Sequence, residues 1–565
     1  MKEKNSKVIN LQDSKMKECR KKRIRFKEEN LYRLIEYIVS AVIAVILLVL
    51  LLLGNRFNYV YKSFCKVPNY IFVAGIVLMR GGYYLIHKKK ILFAKKRKKG
   101  KFEPSTVVRL KLQLERRNLA LLSIILFGVQ LIVAWQIYFK TGWDCGTLIK
   151  TAQAVAYRYA DIGSNAYFSM YPNNVLLVAI FAAILRFTRF LGFNADYFPL
   201  VMIGCLLVNM AGFFMADCIR KLTKKNWIAL AAWGMYMVLA GLSPWISIPY
   251  SDTYSILFPV FCIWLYMYRT EKNKYFIWFG IGFVGFIGYY IKPTVLLVVF
   301  VLMALETWHF IINFDKNQKK KGLKSAVTIV GALLFAVLFA TSANEAARQK
   351  MGFTPDETKK FTPLHYMMMG LNYDTCGTYD QQDVNYSASA LSVKERNRNA
   401  VEEIGNRISD MGLHGLVSHG TRKLLTNFND GTFAWGKEGE FYWNIQNKNN
   451  GLSHQLRSYY YEDGIYYPLF QVLSQGMWVL TLILIVCLAL PQEGKADRTV
   501  AAVLLGLLLI ICFVMLFEAR ARYLYLYSPV FILAAALGLE RFLEWVKRCV
   551  DLVTSDKECA KESGK

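Results

Sequence analysis

Charged residues are scarce in this 565-residue chain: they make up 19% of the sequence, whereas hydrophobic residues make up 55%. Soluble domains contain about a quarter charged residues. The composition therefore excludes a string of soluble domains, although the length alone would allow one. The apolar residues are also grouped in runs too long for the helices of a soluble protein. The chain is therefore predicted to be an all-α polytopic membrane protein.

Organised cysteine motifs are absent as well. The eleven cysteines are scattered, and none forms a CxxC or a Cys/His pair at zinc-ligand spacing. A disulfide framework and a structural zinc are therefore not supported. The first thirty residues carry eleven Lys and Arg before any apolar run. This pattern predicts a cytosolic tail rather than a cleavable signal peptide.

The net charge of +30 does not indicate a nucleic-acid partner, because the Lys and Arg residues lie between the hydrophobic runs. This distribution is typical of the positive-inside rule for membrane proteins. The most basic loop, 87–117, contains thirteen Lys and Arg. We expect this loop to lie in the cytosol and to contact anionic lipid headgroups.

The spacing of the apolar runs predicts about twelve transmembrane helices, since a helix needs roughly 20 apolar residues to cross a bilayer. Three tight runs fit between 254 and 313. The other nine runs are 31–53, 69–86, 118–138, 198–219, 227–247, 325–342, 467–490, 498–517 and 524–540.

The run 173–192 has a suitable length but contains Arg186 and Arg189. Counting it as a crossing would place the basic segment 220–225 outside, against the positive-inside rule. We therefore predict that it is an amphipathic juxtamembrane helix of an outer loop. Both termini then lie in the cytosol.

This topology divides the chain into six parts at a plasma membrane. They are a basic cytosolic tail (1–30), two N-terminal spans with a basic loop (31–117), a transmembrane core (118–342) with outer loop 139–197, an extracytoplasmic domain of mixed structure (343–466), C-terminal spans (467–540) and a cytosolic tail (541–565).

The first candidate for chemistry is Asp144, which follows Trp143 just past the outer end of the third predicted span. A carboxylate beside Trp at a membrane boundary is partly desolvated, which increases its basicity. It could then accept a proton from an acceptor hydroxyl. The alternative is an interfacial Trp with a solvated Asp or a helix cap. Further along the same loop, Tyr171 precedes Pro172 in a pattern that indicates a helix start and by itself carries no function.

Two further charged residues, Asp252 and Lys292, are predicted to lie on the same side. Asp252 could order the Asp144 loop, bind an acceptor, ligate a metal or cap the next helix. Lys292 lies at a break between two apolar runs, where a cation is usually paired or functional. An anionic lipid headgroup is one partner for it, and snorkelling to the outer headgroups is the alternative.

The segment 517–525 places Glu518, Arg520 and Arg522 between two apolar spans at the predicted outer face. Arg is disfavoured on that side, so an anionic partner is expected. Arg can bind a phosphate with two parallel hydrogen bonds, and Glu518 can orient one guanidinium. The alternative is an interfacial ion pair within an aromatic belt.

Acids and cations on the outer face suit a sugar donor that is linked to a lipid phosphate. Its leaving group is already a phosphate, so cations can stabilise it and no general acid is needed. One base is still required for the acceptor hydroxyl. A base opposite the phosphate would lead to inversion at the anomeric carbon.

In this order along about 118–540, the motifs resemble the GT-C superfamily of integral-membrane glycosyltransferases, particularly the protein O-mannosyltransferase-like branch (glycosyltransferase family 39). The matching motifs are Trp143-Asp144, Tyr171-Pro172, Ser251-Asp252, Lys292-Pro293-Thr294 and Glu518-Ala519-Arg520-Ala521-Arg522-Tyr523.

The resemblance implies a GT-C-like fold, a polyprenyl-phosphate-sugar donor and an active site at the outer leaflet. It implies Asp144 as the catalytic base, Arg520, Arg522 and Lys292 on the donor phosphate, and Asp252, Glu518, Trp143 and Tyr171 as supporting residues. No cofactor is required by the resemblance. Some relatives carry an acid at the position of Asp252 that supports the site or a divalent metal such as Mg²⁺ or Mn²⁺.

The acceptor stays open among a cell-envelope polymer, a glycolipid and a protein, because Cys145 rather than a second acid follows Asp144. The pieces 363–372 and 435–439 resemble those of Gram-positive cell-envelope relatives, which implies a bacterial origin. The predicted external domain holds four of the six histidines. Of these, His365 is the candidate for acceptor binding.

Two other functional classes remain as alternatives. A lipid-linked sugar transporter or flippase predicts charges buried within spans, broken helices and structural repeats, and the sequence shows few such charges and no repeat. A non-catalytic scaffold of an envelope-polymer assembly complex would tolerate replacement of Asp144 and Arg522. We therefore expect a glycosyltransferase.

Overall fold

The long apolar runs of the sequence form long helices that pack around one extensive apolar core. The computed structural model describes residues 2–53, 116–437 (apart from 159, 194–195, 271 and 314–318), 444–445, 450–492 and 496–562.

The first half of the described chain contains the helices α1 (Lys2–Leu53), α2 (Arg116–Ile137), α3 (Asp144–Arg158), α4 (Ala166–Met170), α5 (Asn174–Phe190), α6 (Phe198–Thr223), α7 (Asn226–Tyr236), α8 (Ser251–Ser255), α9 (Leu257–Met267) and α10 (Lys274–Ile291). The second half contains α11 (Leu296–Asn313), α12 (Lys319–Lys350), α13 (Pro363–Gly370), α14 (Gln381–Ala388), α15 (Val393–Phe428), α16 (Gly451–Tyr460), α17 (Tyr467–Val486), α18 (Arg498–Leu516) and α19 (Tyr523–Glu562). Strand β1 (Phe139–Lys140) pairs antiparallel with β2 (Asn444–Ile445).

Nine helices among the described residues are long and apolar enough to cross a membrane. They are Glu28–Leu53, Arg116–Ile137, Phe198–Thr223, Lys274–Ile291, Pro293–Ile312, Ala326–Lys350, Tyr467–Ala489, Arg498–Leu516 and Tyr523–Cys549. Nine of the twelve predicted spans correspond to these helices.

The other three predicted spans differ. The run 69–86 and most of the basic loop 87–117 lie outside the described residues. The run 227–247 forms α7, which continues as the π-helical turn Met237–Gly241 and makes a shorter apolar helix of Asn226–Gly241. A 3₁₀ turn follows that begins at Pro244, which cannot continue the preceding helix. The first run after 254 forms α9, which has 11 residues. The count of twelve spans therefore stays a prediction.

The two tails are helical extensions of the neighbouring spans rather than separate elements. Helix α1 begins at Lys2 and α19 continues to Glu562. Lys, Glu and Arg have good helix propensity, so a helix can continue from an apolar span into such a polar segment.

The run 173–192 forms helix α5, which is apolar on the face that packs against α3. Its far end exposes Phe187 and Phe190. The Arg186 guanidinium donates to the Val155 carbonyl oxygen of α3 at 2.6 Å, so this cation has a hydrogen-bond acceptor within the protein. The position of α5 relative to the bilayer stays a prediction.

The described part of 343–466 is mainly helical, with strand β2 and an isolated bridge between Phe353 and Gly163. Asp380, Ser392 and Asn450 cap the N-termini of α14, α15 and α16 with their side chains. The segment also packs into the main core, because Phe428, Phe433 and other residues near the end of α15 are fully buried there. The end of α15 therefore belongs to the main core, whereas Phe361, Met369 and Val384 of the same segment form a second, smaller apolar cluster.

Three buried indoles hold the segment after α15 in place. Trp245 donates to the carbonyl oxygen of Thr432 at 3.0 Å, Trp435 to that of Tyr460 at 2.7 Å, and Trp478 to that of Phe428 at 2.6 Å. Buried indole N–H groups need such partners. These hydrogen bonds fix the end of α15 and the residues after it against the neighbouring helices.

Helix α1 is an integral part of the bundle. Ile43 and Leu47 are fully buried against it. At the end of the bundle where α18 begins, Glu36 forms an ion pair with Arg541 of α19 at 2.6 Å. Glu36 also accepts from the backbone N–H of Asp497 at 3.1 Å.

Candidate functional site

Asp144 is the first residue of α3 and lies between tyrosine hydroxyls. Its Oδ2 accepts from the Tyr250 hydroxyl at 3.2 Å. The Tyr167 hydroxyl also forms a hydrogen bond with Asp144 and accepts from the Asn174 Nδ2 at 2.9 Å. Burial raises the pKa of Tyr167, and the Asp144 charge raises it further. Burial and the Asp144 charge likewise raise the pKa of Tyr250, so both tyrosines remain protonated and can orient the carboxylate.

Arg522 lies in a box of aromatic rings that includes Trp143, the residue before Asp144. Its guanidinium carbon is 4.4 Å from the centre of the Trp143 ring, 5.3 Å from that of Tyr250 and 5.9 Å from that of Trp245. Such contacts stabilise a cation that has lost most of its hydration. The side chain is only 4% exposed. The structure thus brings together the beginning of outer loop 139–197 and the charged segment 517–525.

Asp252 lies between two cations. It forms an ion pair with Lys292 through Oδ1, and its Oδ2 is 3.3 Å from the Arg522 Nε. All three side chains are largely buried. Lys292 also places its Nζ 4.2 Å from the centre of the Tyr523 ring. Pairing of this kind is expected for buried charges.

A divalent metal on Asp252 does not fit this arrangement, because both carboxylate oxygens face cations. Across the described parts of the chain there is also no group of three or more His, Cys, Asp and Glu side chains that could hold a metal ion. Asp252 instead neutralises part of the charge of Lys292 and Arg522.

Glu518 and Arg520 form a second ion pair next to the first. The Arg520 Nε is 2.8 Å from one oxygen of Glu518, and the Tyr523 hydroxyl donates to the other oxygen at 2.8 Å. Burial alone would raise the pKa of Glu518, but the Arg520 charge and these hydrogen bonds lower it, so the carboxylate stays ionised.

Of the two arginines, Arg520 presents more surface to solvent. Its side chain is 19% exposed, compared with 4% for Arg522. Its guanidinium carbon lies 5.5 Å from the centre of the Tyr379 ring, which is itself exposed. Arg520 is therefore the more accessible cation of the cluster.

Tyr171 lies between the two acidic parts of the cluster. Burial raises its pKa, and the charges of Asp144 and Glu518 add to this effect while Arg520 opposes it. Its ring also contacts Phe361, with the ring centres 5.5 Å apart. The residue ends α4, and the chain turns there into α5 as the Tyr-Pro pattern predicted.

His365, the candidate for acceptor binding, lies on α13 and packs against α14. It is 1% exposed, its Nδ1 is 2.7 Å from the Ser387 hydroxyl, and its ring centre is 4.3 Å from that of Phe361. Burial lowers the pKa of His365 to about 4, so the ring is neutral at pH 7. The structure thus places His365 in a packing position rather than at the protein surface.

The sequence reasoning missed five residues of this region: Tyr167, Tyr250, Tyr523, Lys423 and Asn427. The three tyrosines lie within or beside the predicted motifs, but tyrosine is common in aromatic segments near a membrane boundary. Lys423 and Asn427 lie on α15, far from every motif along the chain. Only the packing of α15 against the end of α18 brings them near Arg520.

Comparison with known proteins identifies a family but no activity. No significant match exists among curated proteins or among solved structures. A family described as conserved hypothetical integral membrane protein matches residues 91–542. This range contains every residue of the cluster, from Trp143 to Tyr523. The chain, with its long apolar helices, therefore belongs to this family of integral membrane proteins.

Proposed function

We propose that the protein is a GT-C-type glycosyltransferase. It moves a sugar from a polyprenyl-phosphate-linked donor to an acceptor hydroxyl at the outer face of the plasma membrane. The acceptor is a cell-envelope polymer, a glycolipid or a protein. Both termini lie in the cytosol in this proposal, because the basic segments then all face inward.

The observation that carries the proposal is the contact of Arg522 with two aromatic residues that flank Asp144. The guanidinium stacks on Trp143, the residue that precedes Asp144, and on Tyr250, whose hydroxyl binds Asp144. A base and a set of cations that are remote in the sequence thus share one end of the helix bundle. Transfer from a phosphate-linked donor needs this combination.

In the proposed reaction Asp144 acts as the general base. The acceptor hydroxyl oxygen attacks the anomeric carbon, and its proton passes to the Asp144 carboxylate. The bond between the anomeric carbon and the phosphate oxygen breaks, and the polyprenyl phosphate leaves with the electron pair. Tyr167 and Tyr250 hold the carboxylate in place. Attack opposite the phosphate inverts the anomeric centre.

The cations have different parts in this proposal. Arg520 is the most exposed of them and makes the direct contact with the donor phosphate. Lys292 and Arg522 share the Asp252 carboxylate, so these three side chains together carry one net positive charge. This charge stabilises the phosphate electrostatically as it leaves.

The proposal is tested by replacing Asp144 with Asn in the native host and comparing envelope glycans by mass spectrometry. Asn keeps an acceptor for the Tyr250 hydroxyl but cannot take a proton. We expect loss of one sugar with unchanged membrane levels of the protein. Asp161→Asn, which alters an exposed carboxylate of the same predicted loop, is the matched control and should leave the glycans intact.

Unchanged glycans in Asp144→Asn would reject Asp144 as the base and favour the scaffold or the transporter. A second assay measures whether undecaprenyl phosphate raises the thermal unfolding temperature of the purified full-length protein. Ligands that bind the folded state stabilise it by RT ln(1 + L/Kd), where L is the ligand concentration, so the stabilisation grows with the logarithm of that concentration. Absence of this stabilisation would reject a polyprenyl-phosphate donor.

A further inference from the structure

Helix α15 carries a row of polar residues on one face that is directed at the site. His419, Lys423 and Asn427 follow one another at intervals of four residues, which places them on the same side of a helix. All three are buried. Buried polar side chains are costly unless they form hydrogen bonds, so the partners of this row indicate its purpose.

Asn427 joins α15 directly to the segment that carries the two arginines. Its Oδ1 accepts from the backbone N–H of Arg520 at 3.0 Å. Its Nδ2 donates to the Val514 carbonyl oxygen in the last turn of α18 at 3.1 Å. One amide thus holds the backbone on both sides of Glu518.

Lys423 supports the same segment through Gly370. Its Nζ donates to the Gly370 carbonyl oxygen at 2.6 Å, and the His419 Nε2 lies 3.0 Å from the same oxygen. A Cβ atom on Gly370 would lie 2.6 Å from the Phe517 carbonyl oxygen, so glycine is required for this close approach. Burial lowers the pKa of Lys423 to about 7, while Glu518 opposes this effect.

A third connection completes the support. The backbone N–H of Ala519 donates to the Gly377 carbonyl oxygen at 2.7 Å. Residues 514–520 are therefore held by α15 and by the loop after α13. Both lie in the segment between the apolar helices Ala326–Lys350 and Tyr467–Ala489. The site's most accessible cation is positioned by extramembrane helices as well as by its own spans.

We propose that Asn427, assisted by Lys423, is a positioning residue that holds Arg520 in the orientation that binds the donor phosphate. The proposal rests on the glycosyltransferase function proposed above. It assigns to α15 a role in setting donor affinity, although none of its residues needs to touch the donor.

The test is a double-mutant cycle on the affinity of the purified full-length protein for undecaprenyl phosphate. We expect Arg520→Ala to weaken binding at least tenfold. We expect Asn427→Ala to weaken it about three- to tenfold, as for loss of a hydrogen-bonded support. If Asn427 acts through Arg520, the double variant should bind as weakly as Arg520→Ala alone, within twofold.

Two controls separate positioning from general stability. Thr426→Val removes a buried hydroxyl that donates to the Arg422 carbonyl oxygen of the same helix, and binding should stay within twofold of wild type. Asn209→Ala removes a buried amide that bridges α6 and α2 and should lower thermal stability without changing affinity. If Asn427→Ala does not fold, Lys423→Met replaces it in the cycle.

Each outcome is decisive. Wild-type affinity in Asn427→Ala, or an effect that adds fully to that of Arg520→Ala, would overturn the positioning role. A wild-type protein that does not bind undecaprenyl phosphate would instead overturn the proposed function, and the inference with it. Unchanged binding in Arg520→Ala would overturn the inference alone and move the phosphate contact to another cation.

Discussion

The guanidinium carbon of Arg522 lies 4.4 Å from the centre of the Trp143 ring, although 378 positions separate the two residues in the chain. The contact joins the segment before the last predicted span to the beginning of α3, where Asp144 lies. A cation stacked on an aromatic ring can remain charged in a poorly solvated place. The contact between Arg522 and Trp143 therefore links the proposed phosphate-binding segment to the residue before the proposed base.

Replacement of Arg522 by Lys should impair sugar transfer at least tenfold. An ammonium keeps the charge but loses the planar group that stacks on Trp143 and Tyr250. Transfer would be measured from envelope glycans at matched protein levels. Arg189→Lys changes a guanidinium that lies 5.0 Å from the ring of Tyr157, away from the cluster, and should have no effect. Full activity in Arg522→Lys would show that stacking is unimportant.

Replacement of Asp252 by Asn should destabilise the protein, because Lys292 and Arg522 would lose the carboxylate they share. Removal of one partner from a buried ion pair typically costs about 3–5 kcal/mol. The double variant Asp252→Asn/Lys292→Met removes one cation as well and should recover part of the loss. Thermal unfolding of the detergent-solubilised protein measures both effects. Equal stability of the two variants would contradict the pairing.

Acid should destabilise the protein through His365. Its pKa is about 4 in the folded state and 6.5 ordinarily, so the unfolded chain binds the extra proton between these values. The contribution of the neutral ring to the free energy of unfolding is fully present above pH 6.5. It is lost as the pH falls toward 4, which lowers the free energy of unfolding by about 3 kcal/mol in total.

The variant His365→Asn isolates this effect, because it has no group that titrates in that range. Unfolding midpoints measured from pH 7 to pH 4 should fall less steeply in the variant than in the wild type. Parallel pH profiles would show that His365 does not carry the acid sensitivity.

Helix α1 should depend on the Glu36–Arg541 pair for its docking. Glu36→Gln leaves the Arg541 charge without its carboxylate and should lower stability by about 3–5 kcal/mol. The exposed pair Arg33–Glu29, on the same helix, is the matched control, and Glu29→Gln should cost no more than about 1 kcal/mol. A similar cost for both variants would indicate that the buried pair has no special role.

The sequence anticipated most of the long helices and which motifs carry charge at the predicted outer face. Hydropathy is a local property, so a run of about 20 apolar residues predicts a span without reference to the rest of the fold. Hydropathy did not reveal the interruption within 227–247, because the turn at Pro244 depends on the packing of Trp245 and its neighbours.

The roles of single charged residues were less predictable. In the sequence Asp252 could order the Asp144 loop, bind an acceptor, ligate a metal or cap a helix, and the structure pairs it with Lys292 and Arg522. His365 was selected for its neighbours in the chain, yet it lies buried against Ser387 and Phe361. The surroundings of a side chain are set by elements that are distant in sequence.

What the sequence by itself determined is therefore the membrane class, most of the spans and the identity of the charged motifs. Only the tertiary structure decided that Arg522 stacks on Trp143, the neighbour of Asp144, and that Asn427 holds the backbone of Arg520. The physical reason is that hydrophobic burial acts on each apolar run separately. The pairing of buried polar groups, in contrast, requires partners within about 3 Å, and helix packing alone brings them there.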